Sequence, residues 1–523
     1  MRILIFHGYL LRGTGSNIYN ASLARALVAL GHEVHLLCQD RDAEQLGFVD
    51  AIGDWEQGRL MVRNLREPAR LTVYTPDIGG VLPVYVADTY EGFEAVPLPE
   101  LDDVRIEAYV AANVAAVAEL AESLAPDVAL ANHLVLGPAI LARALGGQVP
   151  YAVKVHGSAL EYTVRPNRGR FLDWAREGLS DAGGVLVGSR HTAESLWEVL
   201  GDPQLPARTR LGPPGVDVEA FLPLAPAQAA ARLRELAGRL ATGAAAGWGG
   251  EQGAAAALRA VAPEQERIVA YVGKLIVSKG VDLLLAAWPL VVDAVPDARL
   301  VVIGFGAYRA ALGAIVDALA AADLEAVRAI AARGRELEGG PAGELAQLAA
   351  FLDALGGQRR ERYLAAAPRA AGRVVFTGRL EHSDLPSVLP ACSAIVVPST
   401  FPEAFGMVAA EGAACGALPV SAAHSGLAEV TRELGGALAP EQRELLSFEL
   451  GPGAVEELAD KLVRWLSRPA AERDQLAGAL AERARRRYGW EGVADGVIAA
   501  AQGRLSELAE PAPGSAASGP ATG

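Results

Sequence analysis

Cysteine is scarce in this chain of 523 residues: Cys38, Cys392 and Cys415 stand far apart and without metal-ligand spacing. That excludes a disulfide framework and a structural zinc site, and leaves all three as core residues. Aromatic residues make up only 6% of the chain, and the 51% hydrophobic content is inflated by alanine, which favours helix. No run approaches the ~18 apolar residues needed to span a bilayer. Met1-Arg2-Ile3-Leu4-Ile5-Phe6 leads straight into a first strand, without the longer apolar segment and cleavage site of a secretory signal, so a cytoplasmic location is expected. Basic charge is also in deficit: 47 Lys and Arg against 62 Asp and Glu give −15. Broad nucleic-acid binding is thereby excluded, while a local basic patch could still meet an anionic substrate or a membrane surface. A complete GxGxxG fingerprint is missing, which weakens a nicotinamide-dehydrogenase reading.

Short apolar runs alternate with helical stretches. They lie at residues 2–6, 33–38, 127–131, 151–155 and 184–187, then at 268–272, 299–303, 373–376, 394–397 and 418–421. This alternation predicts an α/β fold with parallel sheets covered on both faces. Gly212-Pro213-Pro214-Gly215 reads as a turn between two halves. The expected domains are residues 1–215, then 216–508 with a last helix crossing back to the first, and a Pro, Gly, Ser and Ala tail over 509–523 without a core to join. Residues 224–262 are expected to be an alanine-rich, partly mobile insertion. Segments 308–322, 324–337, 342–355 and 358–366 read as amphipathic helices of a second insertion, packed on the outside of the second half in preference to serving an acceptor or partner.

The most informative stretch runs from Pro398 to Gly416. Pro398 ends the apolar run Ala394-Ile395-Val396-Val397, Pro402 keeps Phe401 out of the helical region, and Phe405 to Ala414 reads as helix. Glu403 therefore sits in the loop and Glu411 in the first helical turns. Eight steps of about 100° leave the two carboxylates roughly 80° apart even on an ideal helix, so they have different tasks. The N–H groups near Phe405, Gly406, Met407 and Val408 point out of the helix start and favour an anion, with Gly406 allowing a ligand to come close. Upstream, Val272-Gly273-Lys274-Leu275-Ile276-Val277-Ser278-Lys279-Gly280 follows a strand and places two lysines five residues apart, able to bracket a diphosphate. Val155-His156-Gly157 sets an imidazole at the carboxyl edge of a sheet, where open α/β folds bind ligands. His133 is a second candidate, and His7, His35 and His424 read as structural. Gly13-Thr14-Gly15 lies between the first strand and helix, and Asp40-Arg41-Asp42, though it fits a metal-binding DxD pattern, reads as a solvated turn.

Taken in order, these segments resemble the retaining nucleotide-sugar glycosyltransferases of the GT-B fold (glycosyltransferase family 4-like, glycosyl transferases group 1), whose signature is Glu-x7-Glu. The resemblance implies two Rossmann-like doubly wound domains facing a cleft. It also implies transfer of a hexosyl group from a nucleotide-diphosphate sugar to a hydroxyl acceptor, with no cofactor and no required metal. By this resemblance Glu411 meets the ribose, Lys274 and Lys279 the diphosphate, and Glu403 and His156 are the catalytic candidates near the donor sugar. Arg379 and Leu380, in Thr377-Gly378-Arg379-Leu380, frame the base, and Gly13 contributes a donor contact. Three departures stand out: Lys274 replaces a common arginine, Arg12 replaces the first of two glycines, and Ser425 replaces one glycine of a Gly-Gly-x-x-Glu turn. A GT-B epimerase or hydrolase and a catalytically silent sugar-nucleotide scaffold are the rival readings. Acceptor, donor base and oligomeric state are not specified by the sequence.

Overall fold

The computed structural model describes residues 1–13, 15–85, 92–242 and 253–511. The chain divides into two compact units, Met1–Gly215 with Trp490–Gly523, and Val216–Gly489. The expected range 216–508 is therefore split at Gly489, and the helix Trp490–Ala501 belongs to the first unit.

The first unit is built on β1 (Arg2–Phe6), β2 (Glu33–Leu37), β3 (Ala51–Glu56), β4 (Arg59–Asn64), β5 (Leu71–Thr75), a separate pair β6 (Val81–Val84) and β7 (Glu94–Pro97), β8 (Val128–Asn132), β9 (Tyr151–Val155), β10 (Gly184–Val187) and β11 (Thr209–Leu211). Its nine-stranded sheet has the order β11-β10-β9-β8-β1-β2-β5-β3-β4, parallel throughout except for β3 against β4. Alternate residues of β1 enter different cores: Leu4 and Phe6 on one face, Ile3 and Ile5 on the other. That is the period of a strand buried on both sides, and it explains why the strand reads as one apolar run. The β3–β4 hairpin was not expected from the pattern. Its outer strand is a mostly exposed edge with little apolar signal, joined through Gln57 and Gly58, both at positive φ as a tight two-residue hairpin requires. At the other edge, Leu211 N–H donates to Ala509 O at 2.8 Å, so residues 509–511 are held on β11 and are not part of a loose tail. Residues 512–523 lie outside the described residues.

The second unit carries β12 (Arg267–Val272), β13 (Ala298–Ile303), β14 (Val374–Gly378), β15 (Cys392–Val397), β16 (Leu418–Ala422) and β17 (Ser447–Phe448), in the all-parallel order β14-β13-β12-β15-β16-β17. The two expected insertions are structural. Leu233, Leu236 and Leu258, from helices Pro226–Ala241 and Ala254–Arg259, join the same core as the sheet. The glycine-rich patch at 243–252 lies outside the described residues. Helices Arg309–Ala320, Leu324–Arg333, Ala346–Ala354 and Gly357–Ala371 bury Leu312, Ile315, Val327, Phe351 and Tyr363 in that core. The Tyr363 hydroxyl also donates to Ala286 O on the central helix Val281–Ala294 at 2.9 Å.

In both sheets the chain reverses its direction of strand addition beside a central strand, between β1 and β8 in the first and between β12 and β15 in the second. The carboxyl ends of such strands diverge and leave a crevice, the usual ligand site of a doubly wound sheet. In the second unit one contact fixes the geometry there. Gly280 adopts φ +64°, and a side chain on it would place its first carbon 2.1 Å from Pro398 O, where β15 ends. Gly280→Ala should therefore lower the unfolding free energy by about 1–3 kcal/mol, from left-handed strain alone before any clash is counted. An unchanged urea midpoint with unchanged slope would refute this close approach.

Candidate functional site

In the second unit the loops after β12, β15 and β16 converge on one carboxylate. Glu403 Oε1 accepts from the Ser399 hydroxyl at 2.7 Å and pairs with the Lys279 ammonium. The main chain of Glu403 is fixed as well. Its N–H donates to Ser425 Oγ at 2.9 Å, and its carbonyl accepts from Gly426 N–H at 2.9 Å. The sense of the next bonds follows from a carbonyl, which only accepts. His424 Nε2 donates to Ser399 O at 2.7 Å, so in the neutral ring Nδ1 is the acceptor and the Ser425 hydroxyl donates to it at 3.1 Å. The result is a closed circuit through Ser399, His424, Ser425 and Glu403. Ser425, where the related pattern has glycine, sits at φ +51°. Its hydroxyl gives that strained backbone a function, because it carries the bond that orients Glu403.

The first turn of the site is held from two further directions. The Tyr271 hydroxyl donates to Lys274 O at 2.8 Å, and burial with the nearby Glu403 charge raises the tyrosine's pKa. Val277 N–H donates at 2.7 Å to Glu338, a residue of the helical insertion that is itself ion-paired with Arg335 at 3.2 Å. Lys274, Lys279 and Glu403 are thus drawn into one neighbourhood. Glu338, His424 and Ser425 were not foreseen as site residues. No spacing in the sequence singles out Glu338 or His424, and the Gly-Gly-x-x-Glu pattern marks Ser425 only as a departure, because each acts through a loop that meets another loop only in the folded sheet.

Glu411 is buried on the helix Met407–Ala414 and serves a different partner: Oε1 receives a 2.7 Å hydrogen bond from His382 Nε2. The two glutamates accordingly do separate work, as their helical offset predicts. His382 follows the Arg379-Leu380 segment and packs against Phe221, with ring centroids 5.3 Å apart and the rings tilted by 46°. Arg379 is ion-paired with Glu381 at 3.3 Å and lies over the Phe305 ring at 5.2 Å, while Leu380 packs on the core. Phe405 packs edge-on against Tyr488, and Gly406 caps the helix whose next residues are Met407 and Val408. The expectation that Gly406 makes room for a ligand is corrected here. A side chain on it would meet Leu427, Ala409 and Val430 at 3.0–3.7 Å, so its small size serves packing against the helix Ser425–Gly435.

The first unit has its own polar cluster at the carboxyl ends of β1, β8 and β9. His156, half-buried after β9, donates from Nε2 to Asn132 Oδ1 at 2.8 Å, and the rings of His133 and Tyr19 lie 5.0 Å from its own. His7 joins the same cluster through hydrogen bonds to Asn17 and Asn20. Burial first, then His133, Lys154 and His7, hold the His156 pKa well below its ordinary value. Gly13 is exposed with φ +94°, and Thr14 lies outside the described residues. Asp40 is not the solvated turn residue expected: it is buried, chelated by Arg12 (2.7 and 3.3 Å), and accepts from Leu11 N–H. The DxD pattern here is a brace for the loop after β1. Among the described residues no group of three or more acidic, histidine or cysteine side chains has the geometry to hold a metal.

The Glu411–His382 pair yields a titration. Burial pulls the His382 pKa down, but the charge and hydrogen bond of Glu411, with Asp217 behind them, outweigh it, and the net shift is upward. A raised folded value means that the pair stabilises the fold fully below about pH 6.5 and loses that contribution as pH rises through the raised value. In Glu411→Gln the two larger upward causes fall away, while burial, the largest cause of all, and the smaller pull of Asp217 remain. The His382 midpoint followed by NMR should then drop below that of a free histidine, and a midpoint above it would refute the pairing.

Comparison with known proteins places this geometry. Residues 14–215 match the family profile "Glycosyl transferase 4-like domain", and residues 349–487 match "Glycosyl transferases group 1". The Lys274–Lys279 loop lies between the two matched segments. D-inositol 3-phosphate glycosyltransferase of Mycobacterium tuberculosis is 27% identical over 307 residues, which cover 58% of this chain and 45% of the relative, so the chain spans about half the length of the curated relatives it matches. Among solved structures, sucrose-phosphate synthase of Thermosynechococcus elongatus superposes with TM-score 0.56 at 21% identity, covering 97% of this chain and 98% of the other. Anabaena HepE in complex with UDP and glucose gives TM-score 0.54 at 16% identity, covering 97% and 100%. No described helix is long and apolar enough to cross a membrane. With the two domains matched in this order on two doubly wound parallel sheets, the chain belongs to the GT-B glycosyltransferases composed of a glycosyl transferase 4-like domain followed by a glycosyl transferases group 1 domain.

Proposed function

We propose that this protein transfers a hexosyl group from a nucleotide-diphosphate sugar to a hydroxyl acceptor with retention of anomeric configuration and without a divalent metal. The observation that carries the reading is the convergence of Lys279, Ser399, Glu403 and the start of the helix Met407–Ala414 at the switch point of the second sheet. A cation, a carboxylate and a row of helix N–H groups are what a sugar diphosphate needs.

In this reading the ammonium groups of Lys274 and Lys279 supply the positive charge that a metal provides elsewhere. Their effect grows as the anomeric C–O bond breaks and charge collects on the departing phosphate. Glu403 exchanges its intramolecular donors for donor-sugar hydroxyls, and the Glu411 oxygen not engaged by His382 accepts from the ribose. Arg379 and Leu380 border the base. The acceptor oxygen attacks the anomeric carbon on the face that the phosphate leaves, and the leaving phosphate oxygen takes the acceptor's proton. That route explains a site with no separate nucleophile and base pair. The HepE complex with UDP supports a uridine nucleotide as the first donor class to try. The curated relative's name points to a phosphorylated polyol among candidate acceptors.

The test is a screen of UDP-, GDP- and ADP-sugars against polyol and sugar-phosphate acceptors, with the product anomer read by NMR. Product of unchanged anomeric configuration, formed equally with and without EDTA, is expected. Lys279→Ala should lower kcat/KM about 100-fold or more, the scale of removing one preorganised electrostatic contact to a developing oxyanion. Glu411→Ala should weaken nucleotide binding in calorimetry. Inverted product, dependence on added metal, or full turnover by Lys279→Ala would each overturn the corresponding part.

A further inference from the structure

The polar cluster of the first unit is a chain of hydrogen bonds with a single direction. Asn17 Nδ2 donates to Arg12 O at 2.6 Å, and Asn17 Oδ1 accepts from His7 Nε2 at 2.9 Å. His7 Nδ1 accepts from Asn20 Nδ2 at 3.0 Å, and Asn20 Oδ1 accepts from Asn132 Nδ2 at 2.7 Å. Asn132 Oδ1 then accepts from His156 Nε2 at 2.8 Å. The four inner members, His7, Asn17, Asn20 and Asn132, are buried.

The direction is imposed by the backbone. Each inner donor reaches a main-chain carbonyl: for Asn17 the terminal link to Arg12 O is itself that anchor, and besides their links Asn20 reaches Ser16 O at 2.9 Å, Asn132 Phe6 O at 3.3 Å and His7 Leu10 O at 2.9 Å. Carbonyls cannot donate, so turning any one amide would set two oxygens against each other in a buried place. Four separate anchors therefore agree on one sense. The far end is tied down too, because Arg12, whose carbonyl receives the last bond, is chelated by buried Asp40.

We propose that this relay fixes His156 as the neutral tautomer protonated at Nε2, so that the ring offers substrate a lone pair at Nδ1 and recognises a hydroxyl as a hydrogen-bond donor. Asn132, Asn20, His7 and Asn17 are positioning residues in this scheme. The substrate half rests on the function proposed above; the tautomer does not. The titratable groups facing the ring are His133, Lys154, His7 and Tyr19. Burial lowers Lys154 to about 7 and His7 to about 4, the latter against the raising effect of its bonds to Asn17 and Leu10. The surroundings therefore resist a second positive charge.

Long-range 1H–15N correlation spectra of the full chain labelled at histidine decide the tautomer, with His156→Gln assigning the signal. At neutral pH, His7 and His156 should both show a protonated Nε2 and a bare Nδ1. A proton on Nδ1 of His156, or a rapidly exchanging mixture, overturns the relay. Asn132→Asp keeps the size and the acceptor for Nε2–H but removes the donor to Asn20 and adds a charge that draws a proton to Nδ1. With UDP-glucose as probe, kcat should fall about 10–100-fold, the scale seen when a hydrogen-bond partner that orients a metal-ligating imidazole is lost, and should recover as pH is raised and the ring deprotonates. A loss equal at every pH would mark Asn132 as merely structural and refute the proposal. If the native chain turns over no nucleotide sugar, the proposed function fails, and the spectra still decide the relay.

Discussion

The second unit depends on how one carboxylate is held. Glu403 belongs to the loop after β15, yet its position is set by Lys279 from the loop after β12 and by Ser425 from the loop after β16. The side chains of Lys279 and Glu403 are 29% and 22% exposed, a setting in which an ion pair adds little to stability. Its importance is geometric. Three loops whose conformations would otherwise be independent must agree on one place, and the cation and anion held there are the groups that a sugar diphosphate would compete for. A ligand arriving at such a site exchanges existing bonds for new ones, without having to order a slack loop first.

The departures from the related pattern make sense against that constraint. A serine at φ +51° costs on the order of 1 kcal/mol relative to glycine. At position 425 the hydroxyl closes the circuit from His424 to the Glu403 amide, which glycine could not do. Arg12, in place of a glycine of the related pattern, is chelated by Asp40, so the loop after β1 is fixed by a side-chain pair. Lys274 has given up the forked geometry of arginine, but its main chain is held by Tyr271, and Leu275, next along, is held through the loop after β13.

Much of this was legible in the sequence, for identifiable reasons. Strands buried on both faces leave unmistakable apolar runs, which is why β1, β8, β9, β12 and β15 could be read directly. The loop glutamate and the helix glutamate followed from Pro402 and the helical offset. What escaped notice was of two kinds. Edge strands such as β4 expose most of their side chains and leave no periodic signal. Partners brought together by the sheet, such as His382 for Glu411, Glu338 for Val277 and Asn132 for His156, are separated by 24 to 61 positions, and chain order carries no trace of them. Gly406 was misread for a related reason: a glycine beside a helix start suits an anion site and a tight helix crossing equally well, and only the position of Leu427 decides between them.

The two polar clusters also differ in kind, and the difference bears on the proton in the proposed reaction. Around Glu403 the groups are ionic and partly exposed. Around His156 they are neutral, buried and already biased against charge, with His133 and His7 both lowered by burial and Lys154 brought to about 7. Were His156 to take the acceptor's proton, an imidazolium would form beside groups that each disfavour it, without a carboxylate in its hydrogen-bond chain before Asp40. A phosphate oxygen gaining negative charge faces no such penalty, since its basicity rises at the moment the proton is released. The electrostatics of the first unit therefore favour a His156 that stays neutral, in keeping with the proposed route in which the leaving phosphate takes the proton.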